Sequence, residues 1–143
     1  MIQRIQSVYL LLVGILSSLL FYFPFQKNIV GLSEIKAIQL SLMENENNFL
    51  LIASILNLII LVDSITSIFL FRNRKLQMIL CLYLLAMNIA MLGLMYFGSA
   101  QIDGMPTYQL PFVIPVLNII LSFFAYKNIK RDEELVKSAD RIR

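Results

Sequence analysis

The stretch "FLLIASILNLIILVDSITSIFLFRNRKLQMILCLYLLAMNIAMLGLMYF", residues 49–97, consists of two long apolar runs joined by Arg72, Asn73, Arg74 and Lys75. Runs of about 18 or more apolar residues are long enough to cross roughly 30 Å of hydrocarbon as helices. Neither run has the 3.6 or 2.0 periodicity that would leave a soluble helix or strand one wet face. The connection is so short that the two helices must lie antiparallel and adjacent. A helical hairpin in a membrane is the expected centre of the fold.

Working outward, similar runs occupy about Ile5–Phe25 and Leu110–Tyr126, which with Phe49–Phe71 and Leu76–Phe97 gives four spans. The composition agrees with this reading. Of 143 residues, 59% are hydrophobic and 15% charged, with a mean hydropathy of +0.77, and a soluble domain has no place for that much apolar surface. The first run is too long for a signal h-region, carries only Arg4 before it and is followed by no small-x-small site, so it reads as an uncleaved span. The expected fold is an all-α four-transmembrane-helix bundle, with residues 1–126 as the membrane domain and 127–143 as a charged tail.

Lys and Arg gather in short cytoplasmic segments. With the N-terminus, the central turn and the C-terminus on one side, that side holds Arg4, the trio Arg72, Arg74 and Lys75, and the tail residues Lys127, Lys130, Arg131, Lys137, Arg141 and Arg143. Only Lys27 and Lys36 fall opposite. Both termini are therefore expected in the cytoplasm. The net charge of +3 needs no nucleic acid to explain it, because basic residues beside membrane ends orient the chain and attract anionic lipid head groups.

The outer loops carry weaker signals. "IQLSL" (Ile38–Leu42) alternates like a strand, yet "GLSEIKAIQL" also reads as a short amphipathic helix, and Asp103-Gly104 is a favoured turn pair. A small extracytoplasmic sheet shared by the two loops is one expectation. Pro111 and Pro115 predict a helix start as late as Phe112, or a kink at Pro115. Beyond Tyr126, Ile129, Leu135, Val136, Ala139 and Ile142 recur at near-helical spacing among charges, so an amphipathic cytoplasmic helix is expected.

The opening "MIQRIQSVYLLLVGIL" and closing "KNIKRDEELVKSADRIR", joined by four spans, resemble an uncharacterised family of small four-span inner-membrane proteins of Gram-negative bacteria, classed only as a domain of unknown function. The resemblance covers essentially the whole chain. It implies a bacterial cytoplasmic membrane and brings no activity, cofactor or catalytic residue.

Several chemistries lack their residues. There is one cysteine, Cys81, and no histidine, so neither a disulfide within the chain nor a Cys/His metal cluster can form. The Cys-x-x-Cys, His-Glu-x-x-His and histidine-nucleophile chemistries are missing for the same reason. The five glycines are scattered and every lysine lies outside the spans. Neither a catalytic constellation nor a cofactor is expected.

Polar residues at membrane depth remain. Asn57, Asn88 and Asn118 fall within roughly 5 Å of the bilayer midplane at 1.5 Å rise per residue, where amides seek partners across helices for about 0.6–2 kcal/mol each. They read as interhelical clamps or as a polar substrate path. Gly14 with Ser18 and Ala86 with Ala90 are small pairs suited to close helix approach, and Met87, Met91 and Met95 form a stripe that fills a core or meets another subunit.

Asp63 is the one carboxylate in a span. Placing it there costs about 2.5–3.5 kcal/mol; with no basic residue nearby the neutral acid is the cheaper form. Thr66 and Ser67 lie at i+3 and i+4, with Tyr83 and Ser122 at comparable depth, and these hydroxyls could satisfy it. Asp63 reads equally as a structural node and as a proton or cation site. Two functions follow. One is a non-enzymatic accessory or assembly subunit, with the bilayer around it and a protein partner at its tail or outer loops. The alternative is a small oligomeric proton- or cation-coupled transporter built on Asp63.

Overall fold

The computed structural model describes residues 3–22, 24–28, 34–36, 48–100, 106–108 and 110–140. Its four long helices, α1 (Gln3–Tyr22), α2 (Asn48–Phe69), α3 (Arg74–Ala100) and α4 (Ile114–Asp140), fall on the four apolar runs. α1 ends earlier than its apolar run. Pro24, expected inside the helix, opens strand β1 (Pro24–Asn28) instead, because an interior proline loses a ladder hydrogen bond and clashes with the carbonyl four residues back.

Between α2 and α3 the chain turns through a 3₁₀ segment, Leu70–Arg72. Asn73 closes that turn, its N–H donating to Leu70 O at 3.0 Å. It also starts α3: its side-chain oxygen accepts from the Leu76 N–H at 3.4 Å and its carbonyl from the Gln77 N–H at 3.0 Å. A single asparagine that both ends a turn and caps a helix explains so tight a hairpin.

Before α4, Leu110–Val113 forms another 3₁₀ turn, which places Pro115 second in the helix, where its missing N–H would have had no partner. α4 then runs for 27 residues without interruption, from the apolar segment through the charged tail. At 1.5 Å per residue it is about 40 Å long.

Strands β1, β2 (Glu34–Lys36) and β3 (Pro106–Tyr108) make a three-stranded antiparallel sheet in the order β2-β1-β3. Lys27 pairs with Glu34 on one side and Thr107 on the other, so segments from both loops join one sheet. Glu34–Lys36 is extended, not helical; Ile38–Leu42 and Asp103-Gly104 lie outside the described residues.

The helices pack in a ring, α1 on α2, α2 on α3, α3 on α4 and α4 on α1. Contacts such as Gln6 with Asp132 and Ser17 with Asn118, Asn57 with Ser17 and Gln77 with Ser67 make each neighbouring pair antiparallel. The start of α1, the α2–α3 turn and the second half of α4 therefore share one end. The sheet sits at the other.

The radial distribution of residues is inverted relative to a water-soluble bundle. Buried between the helices are Gln6, Ser17, Asn57, Ser64, Ser67, Gln77, Asn88, Asn118 and Ser122, together with Leu10, Val13, Ile60, Leu84, Met91 and Met95. The outer faces are apolar. Val8, Leu11, Ile15, Ile55, Leu58, Val62, Ile79, Leu82, Ile89, Ile120 and Phe123 are about half exposed. Two segments, Ile52–Phe69 and Arg74–Phe97, are long and apolar enough to cross a membrane, with only 33% and 28% of them buried; α1 contributes a shorter apolar segment, Ile5–Phe21.

The methionine stripe is core filling, with Met91 and Met95 fully buried and Met87 packed against them. Ala86 and Ala90 do not serve helix approach within the chain. Both face outward, because α3 presents Leu84, Asn88 and Met91 inward.

Candidate functional site

The site at mid-height of the bundle is assembled around Ser17, and the closeness of α1 to α2 comes first. Gly14 is one turn before Ser17, and a Cβ built there would lie 2.9 Å from Ser64 Oγ. A side chain at this position would crowd the Ser64 hydroxyl where α1 meets α2, and glycine leaves it room. The Ser64 hydroxyl, unable to reach across, donates to Leu61 O in its own helix at 2.8 Å.

Three residues along, Asn57 Nδ2 on α2 donates to the main-chain oxygen of Ser17 at 3.1 Å. From α4, Asn118 Nδ2 donates to the Ser17 hydroxyl, also at 3.1 Å. Ser17 is fully buried, and Asn57 and Asn118 are each 1% exposed. A carbonyl can only accept, so the Asn57 amide must present its NH₂ and turn its oxygen elsewhere. The carbonyl oxygens Oδ1 of both Asn57 and Asn118, with Ser122 Oγ, are buried without a hydrogen-bond partner.

The third amide does not join them. Asn88 is as deeply buried, but its Nδ2 donates to Leu84 O, four residues back in its own helix, at 2.8 Å. Depth alone placed the three asparagines together; their rotation about the helix axes separates one.

Asp63 is also apart from the node. Its side chain is partly exposed on α2, and its Oδ2 is buried without a partner. The hydroxyls expected around it are engaged or directed elsewhere. Thr66 donates to the main-chain oxygen of Asp63 at 3.0 Å, not to its carboxyl. Tyr83 is 44% exposed on the outside of α3, and the hydroxyl oxygens of Ser67 and Ser122 have no hydrogen-bond partner among the described residues.

A second polar layer lies at the basic end. Gln6 Nε2 donates to Asp132 Oδ2 across α1 and α4, and Arg74 Nη1 on α3 donates to the Asp132 main-chain oxygen at 3.1 Å. Gln77 Nε2 donates to Ser67 O on α2 at 3.1 Å. All four helices meet in this layer. Asp132 is 8% exposed and Gln6 5%, so the carboxylate is held inside the bundle rim rather than on its surface.

Among the basic residues expected to orient the chain, Lys75, Lys127, Lys130 and Arg131 are exposed, whereas Arg74 is half-buried and ties α3 to α4. The Arg72 side chain lies outside the described residues. Sequence reasoning missed Gln6, Ser17 and Asp132 as partners. The available signal was a match of depth between polar positions on antiparallel helices, since Gln6 and Asp132 are 126 residues apart in the chain.

Two properties emerge from this arrangement. Neutral amides and hydroxyls at mid-height fix the rotation and register of α1, α2 and α4, and a charged layer fixes one end. Past that layer Glu134 to Ser138 of α4 are all exposed.

No curated protein and no solved structure matches the chain. Residues 2–142, nearly the whole sequence, match the model of one family, and the chain therefore belongs to the domain-of-unknown-function family DUF4293.

Proposed function

We propose that this chain is a four-span protein of a bacterial inner membrane that works without catalysis, as an accessory or assembly subunit. The observation carrying the membrane reading is the inverted radial distribution. Amides and serines are packed between helices while leucines, isoleucines and valines line the outside on all four, an arrangement that is favourable in lipid and costly in water. The basic residues Arg74, Lys75, Lys130 and Arg131 are grouped at the end opposite the sheet. This supports cytoplasmic termini and an extracytoplasmic sheet.

The exposed segment of α4 past Asp132 supports the accessory role. Leu135 and Val136 are 52% and 45% exposed, next to the i,i+4 pair Glu133–Lys137 and past the last interhelical hydrogen bond among the described residues. A helix that extends past its own bundle with apolar residues uncovered is suited to laying that face into a partner's groove.

Affinity purification of the tagged full chain in a mild detergent tests this reading. A stoichiometric partner that is lost when the residues after Arg131 are deleted supports it. Retention of the partner by the truncated chain removes the α4 extension from the interface. A second reading, proton- or cation-coupled transport, rests on the unpartnered Asp63 Oδ2. It requires that Asp63→Asn abolish a coupled flux in proteoliposomes that the truncation leaves intact.

A further inference from the structure

At the basic end, α3 and α4 diverge around a half-open groove of about 340 Å³. Lys75 and Met78 form one wall, and Tyr126, Lys130, Glu134 and Lys137 the other. Chemistry changes along its length. Met78 and Tyr126 form an apolar and aromatic floor where the apolar half of α4 ends, and tyrosine is favoured at the membrane–water boundary. The charged groups stand above that floor.

Their pairing decides what the groove can hold. Glu133, which also lines it, accepts from Lys137 at 2.9 Å, so those two charges cancel. Lys75 and Lys130 have no carboxylate within ion-pair distance among the described residues, and Glu134 has no such cation. The groove is left with two free ammonium groups and one free carboxylate. Its single excess positive charge matches one monoanionic phosphodiester. Below the floor, one turn deeper on the same faces, Leu82 and Phe123 are 49% and 51% exposed and continue the groove as an apolar track.

We propose that this groove is a binding site for an anionic glycerophospholipid of the phosphatidylglycerol class. The phosphodiester lies between Lys75 and Lys130, and the acyl chains lie against Leu82 and Phe123. Glu134 accepts from a headgroup hydroxyl and opposes a second negative charge. The inference rests on the membrane reading above, and it goes beyond the general attraction of basic residues for lipid because it names one seam of the bundle. Arg131, on the α1 side of α4, and Lys127 lie outside it.

The test uses the full chain in dodecyl maltoside, with thermal melting followed as phosphatidylglycerol, phosphatidylethanolamine or phosphatidylcholine is titrated into the micelles, and soluble glycerophosphoglycerol, the monoanionic diester, as the headgroup without its chains. Phosphatidylglycerol should raise the melting midpoint most, and glycerophosphoglycerol should leave it unmoved. Lys75→Gln/Lys130→Gln should weaken the apparent affinity on the order of 30-fold, from two lost lysine contacts near a membrane surface, while Lys127→Gln/Arg131→Gln changes it less than threefold, roughly. Glu134→Gln should gain affinity for dianionic phosphatidic acid. Equal weakening by the two double variants, or an equal response to all three diesters, overturns the site; an equal response to glycerophosphoglycerol overturns lipid as the occupant. If instead the chain is soluble without detergent after alkaline extraction, the membrane reading has failed, and that outcome is separate from the loss of lipid preference.

Discussion

Replacing Ser17 by alanine removes one oxygen atom from the centre of the bundle. The bond from Asn57 goes to the main-chain oxygen of Ser17 and survives. The bond from Asn118 goes to the hydroxyl and is lost, which leaves an amide that is 1% exposed with neither its NH₂ nor its oxygen partnered. An interhelical bond in a membrane is worth about 0.6–2 kcal/mol, and stranding a buried donor costs about 1–3 kcal/mol. These overlap, so the expected loss is about 1.5–2.5 kcal/mol. Asn118→Leu should behave differently. It deletes the unpartnered oxygen together with the bonded NH₂ at nearly constant volume, and the freed serine hydroxyl can turn to its own helix backbone, so the change should stay within about 0.5 kcal/mol of wild type. The double variant should resemble Asn118→Leu, giving a coupling energy equal to the Ser17→Ala loss, about 1.5–2.5 kcal/mol. Cys81 supplies the assay, being the single cysteine and fully buried. Maleimide labelling in detergent under rapid opening and closing should be about 10- to 70-fold faster in Ser17→Ala than in wild type. Labelling at the wild-type rate, or additive effects of the two substitutions, would refute the node.

Other substitutions probe other contacts. Gly14→Ala gains about 1 kcal/mol of helix propensity but places its methyl 2.9 Å from Ser64 Oγ; it should still melt lower than wild type, and Gly14→Ala/Ser64→Ala should recover the difference in the same melting assay. Asp132→Ala strands the Gln6 amide at the bundle rim and should cost about 1–2 kcal/mol in chemical unfolding, whereas Asp132→Asn keeps an acceptor for Gln6 and should cost less than about 1 kcal/mol. Pro115→Ala, in the first turn of α4, should shift stability by less than about 0.5 kcal/mol by circular dichroism melting, against about 3 kcal/mol for a proline in a helix interior. A large change there would mean that α4 begins earlier than Ile114.

The helices were legible because each is a long apolar run, a signal that needs no knowledge of partners. Where boundaries slipped, the cause was local. Pro24 was counted with the apolar run Ile5–Phe25, although its ring opposes helix and it opens a strand. The contacts were less legible, because depth follows from residue count while rotation follows from packing. Asn57, Asn88 and Asn118 share a depth, yet Asn88 turns back to Leu84 and Ser17 takes its place. Ala86 and Ala90 have the spacing of a close contact but sit on the face that α3 turns outward. Asp63, the most conspicuous residue in sequence, sits at the edge of α2's packed face with Thr66 bonded only to its backbone.

The polar residues thus divide by task along the bundle axis. Those at mid-height, Ser17, Asn57 and Asn118, bond mostly to one another and to backbone, which makes them suited to choosing one packing of helices whose apolar surfaces would accept several. At the basic end, Gln6, Arg74 and Asp132 close the bundle, and the side chains suited to something outside the chain lie around that closure: Leu135 and Val136 past it on α4, and Lys75 and Lys130 beside it on the α3–α4 groove. Asp63 fits neither group. In the proposed bilayer a carboxylate in a span bears a cost of up to about 2.5–3.5 kcal/mol, and among the described residues nothing bonds to Asp63 Oδ2 to offset it. If a partner helix covers that edge of α2, Asp63→Asn should weaken co-purification of the partner while leaving Cys81 labelling of the isolated chain slower or unchanged. If Asp63 is a node of the chain's own fold, the same substitution should accelerate labelling with no partner present, and that result would remove this edge of α2 from any account of assembly.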